Sequence, residues 1–208
     1  LVRDANAAMY RAKEEGRDRC VYFSDSLREK AVERMQTVMA LREAPLPVRS
    51  FLSAGVDTTI NGLGNVLFSL AHHPEQYARL HADPSLARPA FEEGLRYEST
   101  AQTFFRTAGR DCQIAGVPVA EYTKVLCMLA SANRDPRRWP DADRFDIERR
   151  PSGHVALGSG IHGCVGQAVA RLEGEVVLTA LARRVKRIEV AGPHTRRLNN
   201  TLRALDTL

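Results

Sequence analysis

The residues best placed to do chemistry lie in the stretch 152–175, SGHVALGSGIHGCVGQAVARLEGE. Four glycines, Gly158, Gly160, Gly163 and Gly166, surround one thiol, Cys164. Val165, Val169, Leu172, Val176 and Ala180 then recur at spacings of three and four, the period of one helical face. Cys164 therefore stands where a glycine-rich loop enters a helix. Backbone N–H groups at a helix start favour negative charge and so stabilise a thiolate. Glycines let the backbone approach something flat and large. The pattern points to a thiolate presented to a bound group.

Four readings of that loop stay open on its residues alone. Residues 158–163 spell G-x-G-x-x-G, a dinucleotide-binding pattern that requires a strand before it, and SGHVAL makes a poor strand. His162 and Cys164 offer two zinc ligands, but no second pair follows at a usual spacing. An axial thiolate on haem iron is the third reading. A buried structural cysteine is the fourth.

Three other places carry polar groups that a plain core does not need. Residues 48–73 have a helical stripe of Val56, Ile60, Leu63, Leu67 and Leu70, yet AGVDTT in the first half is poor helix material. Asp57 and Thr58 either face solvent, with Thr58 bonding back to the backbone, or serve a site in a helix opened beside Gly55. Glu93 and Arg96 are three apart on one helix face and can pair. Arg106 lies in TFFRT, residues 103–107, which reads as a strand.

The surrounding elements follow from ordinary signals. Residues 5–15 read as a helix, residues 20–23 (CVYF) as a short strand, and residues 25–44 as a helix with Leu27, Ala31, Met35, Val38 and Leu41 on one stripe. The sequence PLP at 45–47 marks the clearest boundary. Pro74 and Asp83–Pro84 start short helices. Residues 113–119 form a hairpin about Gly116, with Pro118 on an edge strand. Residues 125–130 fit strand and helix equally. Residues 133–151 are rich in Pro and charge but also hold Trp and Phe, so an ordered coil is expected. Residues 187–190 and 202–205 read as short closing strands.

The 208 residues, 44% of them hydrophobic, suffice for one domain or two small ones. The net charge of +5 comes from scattered basic residues without interleaved aromatics, so no nucleic-acid partner is expected. No apolar run reaches membrane-spanning length, and Arg3, Asp4 and Arg11 interrupt any leader-like start. Four widely separated cysteines, Cys20, Cys112, Cys127 and Cys164, suit a reducing compartment, and a cytoplasmic setting is expected.

Two resemblances sharpen this picture. AAMYRAKEEGRDRCVYF, through Ala8, Met9, Tyr10, Ala12, Lys13, Gly16 and Arg17, resembles the carboxyl-terminal end of a GGDEF (diguanylate cyclase) domain. The catalytic loop of that family is absent, so no cyclase activity is implied. From residue 48 to 208, AGVDTT, E-x-x-R, a coil with D-R-F and G-x-G-x-H-x-C-x-G, in that order, resemble cytochrome P450, the haem-thiolate monooxygenases. The strings AGVDTTINGLG, QTFFRT, ANRDPRRW and NNTLRAL look most like soluble bacterial members that oxidise aromatic acids.

The second resemblance implies a mainly α fold with small β-hairpins. It would be the carboxyl-terminal half of the cytochrome P450 fold, residues 45–208, preceded by a helix–strand–helix remnant, residues 1–44. It implies haem b as cofactor, with Cys164 as axial ligand to the iron. Gly158, Gly160 and Gly166 would shape the loop against the macrocycle, and His162 and Arg106 would bind propionates. Glu93, Arg96 and Arg144 would form a buried triad locking the coil. Asp57 and Thr58 would line the oxygen pocket and deliver protons, Gly55 would widen the helix groove for oxygen, and Ala54 and Gly55 would count among the cofactor-binding residues with Leu157. Leu157 departs from the family's usual Phe but remains apolar. The family's amino-terminal half, which supplies most substrate contacts, has no counterpart here.

The function so implied is oxidation of a small organic substrate, with electrons from a ferredoxin-type donor or with peroxide. A basic run of Arg183, Arg184, Lys186 and Arg187 suits docking such a donor or a solvated helix end. A non-catalytic haem-binding module, dimeric through its amino-terminal helices, is the second expectation. A nucleotide-binding domain, with Glu189 contacting ribose, is the third.

Overall fold

The structure, a computed structural model, describes residues 46–197, 199 and 201–206. The GGDEF-like segment and the helix expected over 25–44 lie outside the described residues. The chain divides into two compact units, residues 1–53 and 54–208, and the packed core lies wholly within the second.

Among the described residues, helix α1 (Leu46–His72) leads into α2 (Pro74–Ala82) and a 3-10 turn (Pro84–Leu86) that passes directly into α3 (Ala87–Tyr97). Strands β1 (Thr103–Thr107), β2 (Cys112–Ile114), β3 (Val117–Val119) and β4 (Lys124–Met128) come next, then α4 (Leu129–Ala132). A long ordered coil reaches a second 3-10 turn (Gly160–His162) and α5 (Gln167–Arg184). β5 (Arg196–Arg197) and β6 (Ala204–Leu205) close the chain. This is a mainly helical fold with small two-stranded sheets.

The helix starts have local causes. Pro74 stands in the first turn of α2, where a missing N–H costs nothing. The Asp83 side chain accepts the Ser85 N–H at 3.0 Å and caps the 3-10 turn. Helix α3 buries Ala87, Ala90, Phe91, Glu93, Gly94, Leu95 and Arg96, so it is enclosed on nearly every side. Its neighbours approach at two glycines. A Cβ on Gly94 would collide with Val66 of α1, and one on Gly174 of α5 would collide with the Phe91 ring. Phe91, Leu95, Val66, Leu70, Leu178 and Ala182 form the centre of the core, with Tyr77 and Leu80 from α2 and Phe145 and Ile147 from the coil. The Tyr77 hydroxyl donates to the Val185 carbonyl at 2.8 Å, and His81 Nδ1 meets the Ala182 carbonyl at 2.7 Å, which ties α2 to the end of α5.

β1 pairs antiparallel with β4, Arg106 opposite Val125. β2 and β3 pair through a two-residue turn, Ala115 and Gly116, both at positive φ. A turn of that kind matches the twist of paired strands. Residues 125–130 resolve as the end of β4 followed by α4.

Three expectations are corrected. Residues 187–190 form no strand; the closing hairpin is β5 with β6, Arg196 opposite Leu205. Helix α5 starts at Gln167 and buries Gly174, Leu178 and Ala182, while Val165, Val169, Leu172 and Val176 are exposed. The helix has two apolar stripes, and the one holding a glycine admits the close approach of Phe91. On α1, Val56 and Ile60 are exposed, whereas Asn65, Val66, Ser69 and Leu70 are buried. Among the described residues no helix is long and apolar enough to cross a membrane.

Candidate functional site

The Cys164 loop is a closed turn that ends in α5. The Cys164 N–H donates to the Leu157 carbonyl at 2.8 Å, which brings the start of the loop against its end. Gly158 makes this possible: its φ is +74°, and a Cβ there would run into the His162 carbonyl oxygen. The Gly160–His162 turn projects outward, and a Cβ on Gly160 would meet open space. The Gln167 N–H donates to the Cys164 carbonyl at 3.3 Å, and Gly166 is the N-cap of α5. Leu157 is half-buried against the core, while His162 and Cys164 are exposed. Ile161 is 97% exposed and Val165 85%, so large apolar side chains flank the thiol in the sequence and stand uncovered among the described residues.

The dinucleotide and zinc readings fail on this geometry. The residues before Gly158 form turns and coil rather than a strand, so the dinucleotide pattern lacks its context, and Glu189 lies in no strand either. Among the described residues no group of three or more His, Cys, Asp or Glu side chains gathers as a metal site, which removes the zinc reading. Cys164 is not buried, so it is no ordinary core cysteine.

Behind the loop, Glu93 and Arg96 are fully buried and paired in a fork, with Arg96 Nε to Glu93 Oε2 and Arg96 Nη2 to Glu93 Oε1 both at 2.8 Å. The remaining donors of Arg96 go to the carbonyls of Asn133 at 2.8 Å, Ala142 at 2.9 Å and Arg144 at 3.2 Å. The coil is thus held by its own backbone. The Arg144 side chain does not fill the third place of a triad. It is exposed, 3.8 Å from Asp146, and contributes only its carbonyl. Phe145 takes the inward direction and enters the core, so its neighbour faces out. Arg149 supplies the third group instead, its Nε donating to Glu93 Oε1 at 3.1 Å.

A second, half-buried cluster was not singled out from the sequence. Glu92, next to Glu93, accepts from His154 Nε2 at 2.7 Å and from Arg171 Nε. Burial would push the Glu92 carboxyl up, but the hydrogen bonds from His154 and Arg171, with the charge of Arg171, outweigh it and hold the group below the usual carboxylate range. Asn133 is buried between elements: its Nδ2 donates to Ser99 Oγ and its Oδ1 accepts the Val155 N–H, each at 2.8 Å. The signals for both were present as H-x-A before the loop and ANRD before the coil, but neither has a spacing that names a partner.

The Arg106 guanidinium donates to its neighbour's carbonyl, Phe105 O, at 2.8 Å and lies over the Phe104 ring, with no carboxylate partner among the described residues. On α1 the helix continues without a break past Gly55. Thr58 Oγ1 donates to the Ala54 carbonyl at 2.7 Å, and Asn61 Nδ2 donates to the Asp57 carbonyl at 2.7 Å. Ala54, Gly55, Asp57 and Thr58 are all exposed.

The sequence model described as cytochrome P450 matches residues 5–190. The chain belongs to the cytochrome P450 family. It is 64% identical over 166 residues to cytochrome P450 CYP199A2 of Rhodopseudomonas palustris, a match covering 80% of this chain and 40% of the relative. It is 42% identical over 170 residues to cytochrome P450 107B1 of Saccharopolyspora erythraea, covering 80% and 42%. Among solved structures it resembles P450BioI, crystallised with an acyl carrier protein carrying hexadec-9Z-enoic acid, with a TM-score of 0.71 at 38% identity, over 74% of this chain and 40% of that one. The chain spans about two fifths of the length of these cytochromes P450.

The cofactor of cytochromes P450 is haem b, iron protoporphyrin IX. The residues present fit it. An exposed thiol stands at a helix start between uncovered apolar side chains, with an outward turn that carries no bulk at Gly160. Arg106 and His162 add basic groups with capacity for acidic substituents.

Proposed function

We propose that the chain binds haem b through the Cys164 thiolate and acts as a monooxygenase-type oxidoreductase on a small organic substrate, with an aromatic acid as the first candidate. The observation that carries this reading is the Cys164 loop: a thiol held by a backbone bond to Leu157, open to solvent and flanked by exposed Ile161 and Val165. Leu157 supplies an apolar side chain at the start of the loop, and Gly158, Gly160 and Gly166 keep side chains off the approach. Arg106 and His162 would hold the propionates by charge-assisted hydrogen bonds. Haem, when bound, supplies the activation of dioxygen or peroxide. The Thr58 hydroxyl, its proton committed to the Ala54 carbonyl, keeps lone pairs free to accept a hydrogen bond, and the exposed Asp57 carboxylate stands beside it in the chain. Ala54 and Gly55 leave that stretch of α1 without bulk.

Electrons would come from a ferredoxin-type donor. Peroxide is the simpler oxidant for a site left open to water, where specific hydroxylation is hardest to achieve. A division at residues 44/45 into a GGDEF-like tail and a haem-binding part, pairing of two chains through the amino-terminal helices, and a cytoplasmic setting belong to the same proposal. The second reading, a haem-binding module without turnover, keeps the same ligand and predicts bound haem but no product from peroxide and an aromatic acid.

The experiment is to add haemin to the purified chain, reduce it and admit carbon monoxide. The expected result is the absorption band of a thiolate-ligated carbonyl complex, lost in Cys164→Ala. A chain with no such band, or with a band indifferent to Cys164→Ala, does not have this function.

A further inference from the structure

Glu92 is bound by two groups that are far apart in sequence and lie on opposite sides of Cys164. Helix geometry turns neighbouring side chains about 100° apart, so Glu93 faces the coil and Arg96 while Glu92 faces α5. One carboxylate oxygen of Glu92 accepts from His154 Nε2 at 2.7 Å; the other accepts from Arg171 Nε. His154 lies on the chain entering the loop, and its side chain is only 3% exposed. Its Nδ1 accepts the Ala156 N–H at 3.2 Å, which leaves the ring proton on Nε2 for Glu92. Arg171 lies in the second turn of α5, on the chain leaving the loop. Its Nη1 donates to Gln167 Oε1 at 2.6 Å, and the Gln167 N–H reaches the Cys164 carbonyl. The entry is fixed a second time by Asn133, which takes the Val155 N–H.

We propose that Glu92 is a positioning residue for the Cys164 thiolate, closing the base of its loop by holding the entry at His154 and the exit at Arg171 with one carboxylate. The inference rests on the haem-thiolate reading above for its purpose, but the clamp itself is a property of the protein. An amide cannot replace the carboxylate: Gln accepts through one oxygen only, and its NH2 meets the Nε2–H of His154 donor to donor. Glu92→Gln therefore opens one arm. Arg171→Gln opens the other, at a side chain already 26% exposed.

Hydrogen exchange on the haem-free full chain reads the clamp directly. Both variants are expected to speed exchange of the loop amides 158–166 by about tenfold, the size of one lost charged hydrogen bond, while the amides of α2 and α3 keep their rates. Loaded with haemin and reduced under carbon monoxide, the same variants should lose the thiolate-ligated form about tenfold faster than the parent on warming. Glu175→Gln, which removes an exposed α5 partner of Arg88 at 3.9 Å, should change neither readout. Loop amides that exchange at parental rates in both variants overturn the proposal, as does an acceleration equal across all helices. A parent chain with no thiolate-ligated carbonyl band overturns the haem reading instead, and the exchange result still decides whether Glu92 closes the loop.

Discussion

Arg96 and Arg106 carry the same guanidinium ten residues apart and stand in opposite settings. Arg96, at the junction of α3 and the coil, is fully buried, and its donors are taken by Glu93 and three backbone carbonyls. Arg106, on β1, is half-buried, with a neighbouring carbonyl and a ring as its described contacts. The same contrast separates their surroundings. The junction is closed and internally satisfied, whereas the Cys164 loop and the first half of α1 leave their polar groups facing outward. An arginine saturated by its own protein holds structure; one with donors to spare is available to a ligand.

The contrast breaks first at Glu93. Glu93→Ala leaves the Arg96 charge buried and unpaired, which should cost about 3–5 kcal/mol. Urea denaturation followed by circular dichroism checks it, and a loss under about 1 kcal/mol would mean that the junction is not the structural half of the pair. Next in size is the helix contact: Gly174→Ala pushes a methyl into Phe91 and should cost about 1–3 kcal/mol, read as a lowered Tm. If Tm is unchanged, α5 does not lie as close to α3 as described.

Glu92 joins the two regions and gives the pH dependence. A carboxyl whose folded pKa is depressed adds stability above its unfolded value, about 4.3, and loses it as pH falls through the lower folded value. Urea midpoints measured from pH 6 to 3 should therefore drop on the acid side, and Glu92→Gln should flatten part of that drop. A variant that keeps the full acid drop removes Glu92 as its source. The smallest effect on stability belongs to Arg106. Arg106→Gln should change the unfolding free energy measured in urea by no more than about 0.5 kcal/mol and weaken haemin binding by about tenfold, measured by titration. The reverse result, a stability loss without weaker binding, would place Arg106 with Arg96.

Much of this was legible in the residues. The hairpin at Gly116 follows from turn chemistry, and α2 and the 3-10 turn before α3 start at Pro74 and at Asp83–Pro84. Glu93 and Arg96 could be paired from their spacing, because i and i+3 share a helix face. The third partner could not, because an irregular coil has no period: Arg144 and Arg149 both lie in it, and a buried Phe145 beside Arg144 decides between them. Helix α5 misled for a different reason. Periodicity marks apolar stripes but not which stripe is covered, and the covered one is set by Gly174, whose lack of a side chain reads as weak helix in a sequence. Glu92 went unmarked because its partners are loop and helix residues far away in the chain.

The contact at Gly174 reaches further than its own stability. From Gly174 back to Gln167 is a single run of α5, about 10 Å long at 1.5 Å per residue, and Cys164 is tied to that end by its carbonyl. The close approach of Phe91 to Gly174 and the bond from Gln167 to Cys164 therefore lie on one rigid element, so the packing of α3 against α5 also sets where the end of the Cys164 loop is anchored.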